Sequence, residues 1–154
     1  MGEWVKSSCN SPVPHNAFVA GRDVDGSRIY VGRAAFQGDV LPAKVIPNNR
    51  VAYVSHNGSE HRVQYYDVLV GQEYEWVVCG DGLVPANAIS PGTTSTLERL
   101  YVGRVRHNNS LTIGKVQPSR GCILIPYCHR EHSFNSYEVL VKKQRPKLWK
   151  SQSY

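Results

Sequence analysis

The chain has 154 residues, 18 basic and 12 acidic side chains and a net charge of +6. That length fits one ordinary domain, and no apolar run approaches the roughly 18–20 residues needed for a helical membrane span. Five of the basic residues (Lys142, Lys143, Arg145, Lys147 and Lys150) fall in an acid-free stretch, Lys142–Tyr154, which leaves the body at 13 basic against 12 acidic groups. A folded nucleic-acid binder carries its basic face on the body, so this distribution argues against that class.

The start, Met1-Gly2-Glu3-Trp4-Val5-Lys6, lacks the apolar stretch of a signal peptide. Lys6 stands where a myristoylation signal needs Ser or Thr. The expectation is a cytoplasmic protein, or one released by an unconventional route.

After Trp4-Val5 the chain enters a segment that occurs twice. Val13–Val70 and Val84–Val141 align without a gap over 58 residues, at a constant offset of 71, with 19 identities. Val-Pro-x-Asn-Ala recurs at Val13–Ala17 and Val84–Ala88. Tyr-Val-Gly-Arg recurs at Tyr30–Arg33 and Tyr101–Arg104. Lys-Val-x-Pro recurs at Lys44–Pro47 and Lys115–Pro118, and Glu-His at Glu60-His61 and Glu131-His132. Tyr-acid-Val-Leu-Val closes both copies, with Asp67 in the first and Glu138 in the second. A repeat of this quality dictates architecture. A unit of about 60 residues buries only about 60% of its unfolded surface, so the two copies are expected to share one core, arranged as a pseudo-dimer.

In chain order, strands are predicted at Arg28–Arg33, Val51–Val54, Tyr65–Val70, Glu73–Val78 and Cys122–Ile125, all rich in β-branched, aromatic or other apolar residues. Turn chemistry separates them at Asp25-Gly26, Pro47-Asn48-Asn49, Asn57-Gly58, Asp81-Gly82, Asn108-Asn109 and Pro118-Ser119. Helical periodicity is lacking. The fold class is therefore all-β, with one domain spanning 1–154, repeat one at 4–70, repeat two at 76–141 and a basic tail at 142–154. Trp76-Val77 precedes the second Val-Pro as Trp4-Val5 precedes the first, one residue out of step. A strand thus lies between the gapless blocks. It can be exchanged to complete the other half, which would interlock the copies. In the tail, Trp149 reads as a packing anchor.

Repetition also separates frame from chemistry. Asn16 with Asn87 and Arg33 with Arg104 read as structural, the Asn capping a turn and Arg33 pairing with Glu60 or Asp67. Lys44 and Lys115 follow Ala43 and Gly114, small residues that let a lysine direct three N–H donors into an open groove. Asp23 and Asp25 of the first copy align with Thr94 and Thr96. With only Asp39 as a distant third acid, they do not form a calcium loop. Cys122, Cys128, His129 and His132 lack paired Cys-x-x-Cys spacing, and three of the four have no metal-binding equivalent in the first copy. Cys9 and Cys79, each shortly before a Val-Pro, read as near-equivalent free thiols. No catalytic motif appears, so no enzyme activity, metal or cofactor is expected.

The doubled motif set resembles the tandem DM-nine repeat family, whose members include small bivalve mannose-binding lectins and the N-terminal lectin-like portion of natterin-like proteins. The resemblance spans about 130 residues and both copies. It implies a compact β-sandwich with pseudo-two-fold symmetry, built from two interlocked tandem repeats. It also implies metal-independent recognition of D-mannose and microbial mannan in innate immunity. By position, the family's sugar contacts fall on Asp23 and Lys44. Lys115 is the repeated lysine, and Glu60 and Glu131 are reserve acceptors. Weak single sites imply several per assembly, hence two per chain, a homodimer, or both. The alternatives are a nucleic-acid or anionic-surface binder acting through the tail, and a non-catalytic interaction scaffold.

Overall fold

The structure, a computed structural model, describes residues 2–144. Arg145, Lys147, Trp149 and Lys150, and with them most of the basic tail, lie outside the described residues. Among the described residues, fourteen strands and two single-turn 3-10 helices make an all-β fold. The first repeat supplies β1 (Glu3–Ser8), β2 (Val19–Arg22), β3 (Arg28–Phe36), β4 (Asp39–Ile46), β5 (Val51–His56), β6 (Ser59–Arg62) and β7 (Tyr65–Val70). The second supplies β8 (Tyr74–Gly80), β9 (Gly92–Thr93), β10 (Arg99–His107), β11 (Ser110–Gln117), β12 (Cys122–Tyr127), β13 (Arg130–Phe134) and β14 (Ser136–Lys142).

Twelve of the strands join in one hydrogen-bonded path, β1-β7-β3-β4-β5-β6-β13-β12-β11-β10-β14-β8, which curls on itself in a barrel-like sandwich, while β2 pairs with β3 and β11 and β9 with β10. Read from either end, the path gives equivalent strands. The pseudo-two-fold passes through its centre, where β6 meets β13 at Ser59 opposite Arg130, residues that are themselves equivalent. Two reciprocal backbone bonds flank that pair: Glu60 N–H donates to His129 O at 3.1 Å and Glu131 N–H to Gly58 O at 2.9 Å.

Four two-residue hairpins explain the tight meander. Gln37-Gly38, Asn57-Gly58, Asn108-Asn109 and Cys128-His129 all have positive φ at both residues, the signature of turns whose twist matches the flanking strands. The Asn-Gly and Asn-Asn turns announce themselves in sequence. Cys128-His129 does not, because Cys has no preference for the left-handed region and the pair is not a usual hairpin dipeptide.

Burial follows the repeat. A central cluster draws on both copies, including Phe18, Ile29, Val31, Leu69, Ile89, Val102, Ile113 and Leu140. Each copy adds a satellite, around Leu41, Val45 and Val68 in the first and around Val116, Ile123 and Val139 in the second. The expectation of a shared core holds. The expectation that the strand between the blocks is exchanged does not. β8 pairs with β14 of its own repeat over seven positions, as β1 pairs with β7. The reason is local. The Trp76 ring lies 4.0 Å beneath the Arg104 guanidinium, which binds Glu138 at 2.8 Å. Trp4, Arg33 and Asp67 repeat that stack, at 4.7 and 2.9 Å. Interlocking comes instead from β2, which pairs with β3 and reaches across to β11 of the other repeat. The register also separates two cysteines taken as near-equivalent: Cys79 faces Tyr137 as Ser7 faces Tyr66, whereas Cys9 bonds Gln64 O as Asp81 bonds Asn135 O.

Gly32 and Gly103, repeated within Tyr-Val-Gly-Arg, sit where strands and side chains crowd. A Cβ on Gly103 would lie 2.6 Å from Val116 and 2.9 Å from Ile123. Gly103→Ala is therefore expected to cost about 1–3 kcal/mol in urea denaturation, the range for overpacking a filled core. A loss below about 0.5 kcal/mol, the usual span of a surface change, would contradict this packing.

Candidate functional site

The five candidate residues fall into two clusters related by the pseudo-two-fold. Lys44 on β4 and Lys115 on β11 are only 4% and 6% exposed. They do not project into an open groove. Each crosses to the other repeat, where its Nζ donates to a backbone carbonyl: Lys44 to Pro126 O at 2.7 Å and Lys115 to Ser55 O at 2.9 Å. Pro126 and Ser55 are equivalent positions, so the two bonds form a reciprocal pair. Glu60 and Glu131 cross in the same way. Glu60 Oε1 accepts from His129 N–H at 3.0 Å, and Glu131 Oε1 from Gly58 N–H at 3.1 Å.

The clusters then diverge. Lys115 Nζ also lies 3.2 Å from Glu131 Oε2, and the Glu131 side chain is 2% exposed. Glu131 Oε2 has no aligned hydrogen-bond donor, so the contact is ionic, with the ammonium aimed at Ser55 O. Arg120 lies 3.5 Å from the other carboxylate oxygen. Lys115 is thus neutralised in place. Lys44 has no carboxylate within ion-pair distance among the described residues. It sits between two tyrosine rings, 5.5 Å from Tyr53 and 5.2 Å from Tyr127, within the range for cation–π attraction. Burial pushes its pKa below the ordinary 10.5, and the carboxylates of Glu60 and Asp23 oppose that shift. An ammonium offers three donors. Among the described residues, Lys44 commits one to protein.

Asp23 joins this cluster from the β2–β3 loop. Its backbone closes the loop, with Asp23 N–H bonded to Ser27 O and Gly26 N–H to Asp23 O, both at 2.9 Å. Its Oδ1 accepts from Val24 N–H at 2.9 Å, and Oδ2 takes no protein hydrogen bond among the described residues. Asp25 is spent on the turn, bonding Ser27 N–H and Asn49 Nδ2. The second loop keeps the same closure between Thr94 and Glu98, but the Thr94 hydroxyl bonds Thr96 and Glu98 N–H.

Several residues around Lys44 come from the other repeat and carry no motif. Tyr127 packs edge-on against His107 at 4.8 Å. Burial raises the Tyr127 pKa, and the neighbouring Cys128 and Asp23 raise it further. Burial lowers the His107 pKa, helped by His132 and by Lys44 itself. Beside them lies a cleft of about 660 Å³, lined by Arg22, Arg106, His107, Asn108, Asn109, Ser110 and Leu111. The second cluster has Asp39 where the first has Ser110. Asp39 accepts from Ser95 N–H at 2.8 Å and lies 3.3 Å from His56. The alignment lists all these differences. Which of them meet at one lysine depends on the crossing of repeats, which no single copy encodes.

The DM9 repeat family model matches residues 23–134. The chain belongs to the DM9 repeat family. Two natterins of Thalassophryne nattereri are related to it. Natterin-4 is 25% identical over 142 residues, covering 90% of this chain and 33% of natterin-4. Natterin-3 is 28% identical over 93 residues, covering 58% of this chain and 23% of natterin-3. The chain thus spans no more than a third of the length of these curated relatives. The crystal structure of the nematode sperm cell motility protein MFP2B superposes with a TM-score of 0.71 at 15% identity, covering 97% of this DM9 chain and 48% of that one. At that identity the likeness is one of fold. No helix among the described residues is long and apolar enough to cross a membrane.

The two lysines are expected to differ in what they do for stability. Lys115→Met strands the buried Glu131 carboxylate and should cost about 3–5 kcal/mol. Lys44→Met leaves a carbonyl without its donor and should cost about 1–3 kcal/mol. Urea denaturation of the two variants checks this order. Equal losses, or a larger loss at Lys44, would contradict the assigned pairing.

Proposed function

We propose that this chain is a non-catalytic carbohydrate-binding protein that recognises mannose-containing glycans without a metal, and that its main sugar site is the Asp23–Lys44 cluster. Membership of the DM9 repeat family supports a lectin-like role. The observation that carries the choice of site is the unspent bonding capacity at Lys44 and Asp23, set against the neutralised Lys115 and the loop-bonded Thr94. Neighbouring pyranose hydroxyls each donate and accept. An ammonium with uncommitted donors and a carboxylate with an open oxygen complement such a pair, through charge-assisted bonds about twice as strong as neutral ones. Lys44 is only 4% exposed and Tyr127 packs over it, so a sugar reaches the ammonium where the Tyr127 ring shifts aside. Glu60 positions the Cys128-His129 turn rather than meeting the sugar.

A single site of this kind should be weak, near millimolar or about −4 kcal/mol. Avidity on a mannan surface then rests on more than one site. Two chains in a homodimer give a gain of about 10²–10⁴-fold when both engage. This suits a role in pattern recognition on microbial surfaces.

Isothermal titration with mannose should give binding that galactose does not reproduce and that a chelator leaves unchanged. Asp23→Asn should abolish it while the melting temperature stays within a few degrees. Retained mannose affinity in folded Asp23→Asn removes this site, and loss of binding in chelator removes the metal-free reading.

The pH dependence has a definite sign. The sugar hydroxyls accept from the ammonium, so binding requires protonated Lys44. Burial lowers the Lys44 pKa below 10.5. Affinity should therefore decline on the alkaline side before a solvent lysine would titrate, and Lys44→Arg should remove that decline if it binds at all. A mannose affinity constant up to pH 10.5 would show that the Lys44 proton is not used.

A further inference from the structure

The cleft beside Lys44 has a charge pattern that neutral-sugar binding does not use. Arg22 on β2 faces Leu111 on β11, and Leu111 faces Arg106 on β10. Residues directly opposite one another on adjacent strands share a face. The register therefore lays Arg22, Leu111 and Arg106 side by side, with the two arginine Cα atoms about 10 Å apart, two strand spacings. Both arginines are exposed, and both line the cleft. Among the described residues neither forms an ion pair. Arg22 bonds only the Gly26 carbonyl, at 3.2 Å.

Glu138 on β14, which lines a neighbouring cleft with Arg106, is already engaged. Glu138 is held by Arg104 Nε at 2.8 Å, and Arg104 also donates to Ala20 O on β2 at 2.9 Å. Asp23, next to Arg22, acts on Lys44. The two guanidinium groups flank Leu111 and give the cleft a local positive charge. The other repeat lacks that charge. Its equivalent row is Thr93, Val40 and Ala35, beside the paired Arg33 and Asp67 in a cleft of about 440 Å³. The arginine–carboxylate stack is kept in both halves, and two extra cations appear in only one, beside the lysine with donors to spare.

We propose that the Arg22–Leu111–Arg106 row is a subsite for a phosphate or sulfate ester carried by the bound glycan. The inference rests on the carbohydrate reading of the Lys44 site and names its preferred substrate class, an anionic mannoside. Guanidinium groups match tetrahedral oxyanions by forked donation. The Asn108 and Asn109 amides, on a left-handed turn at the cleft edge, add neutral donors. His107 lines the same cleft and packs against the Tyr127 ring at 4.8 Å, which connects the cleft to the Lys44 cluster.

The test is titration of the full chain with mannose, mannose 1-phosphate, mannose 6-phosphate, mannose 6-sulfate and galactose 6-phosphate, at low and high salt. The same set is run on Arg22→Ala/Arg106→Ala, whose exposed side chains can be removed without opening the core. At least one mannose ester should bind about tenfold or more tightly than mannose at low salt. That advantage should shrink with salt and vanish in the double variant, which keeps its mannose affinity. A phosphate-only advantage assigns the dianionic ester as ligand, and equal gains for sulfate assign any tetrahedral oxyanion. If mannose fails to bind while mannose 6-phosphate and galactose 6-phosphate bind alike through the two arginines, the anion subsite stands and the mannose reading falls. No advantage for any ester, or one that survives the double variant, overturns the proposal.

Discussion

Everything in this molecule is arranged around two buried lysines that each reach into the opposite repeat. An ammonium removed from water must be compensated by acceptors, and Lys44 and Lys115 find theirs on Pro126 and Ser55, carbonyls their own repeats do not supply. The reciprocal bonds of Glu60 and Glu131 to the facing hairpin turns lie in the same region. Neither repeat can satisfy its lysine alone. That is a polar reason for the two halves to fold as one body, in addition to the shared apolar cluster around Ile29, Val102 and Leu140.

The same crossing makes two equivalent places where strands from both repeats meet, and the sequence then treats them differently. Around Lys115, Glu131 and Arg120 close a charge network, and Asp39 ties down the second loop through Ser95. Around Lys44, tyrosines replace the acid contact and Asp23 keeps an oxygen open. One cluster is built as a brace and the other as a receptor. The arginine row beside Lys44 continues the asymmetry outward to the surface.

Much of this was legible in the residues. The gapless repeat implied an all-β pseudo-dimer with a common core, and Asp-Gly, Asn-Gly and Pro-Asn pairs placed most turns. Arg33 was expected to pair with Glu60 or Asp67, and the structure selects Asp67, whose replacement by Glu138 in the second copy preserves the charge. Contacts across the pseudo-two-fold were not readable. Glu60 looked like a spare acceptor, yet its oxygen is fixed by a backbone amide 69 residues away. Lys44 looked exposed because the Ala before it is small, whereas Tyr127 from the other copy covers it. The Cys128-His129 turn was hidden because its left-handed backbone is imposed by hairpin length, not by residue preference. The middle strand was misplaced because sequence shows that a Trp-Val pair recurs but not which arginine it must lie under.

The central claim is that one cluster binds sugar and its symmetry mate does not bind it equally well. A crystal structure of the chain soaked with mannose tests this most directly. The account predicts a mannose with hydroxyls on Lys44 Nζ and Asp23 Oδ2 beside Tyr127, at full occupancy before any sugar appears near Lys115. Mannose bound first or only at the Lys115–Glu131 cluster, or away from both lysines, would contradict it.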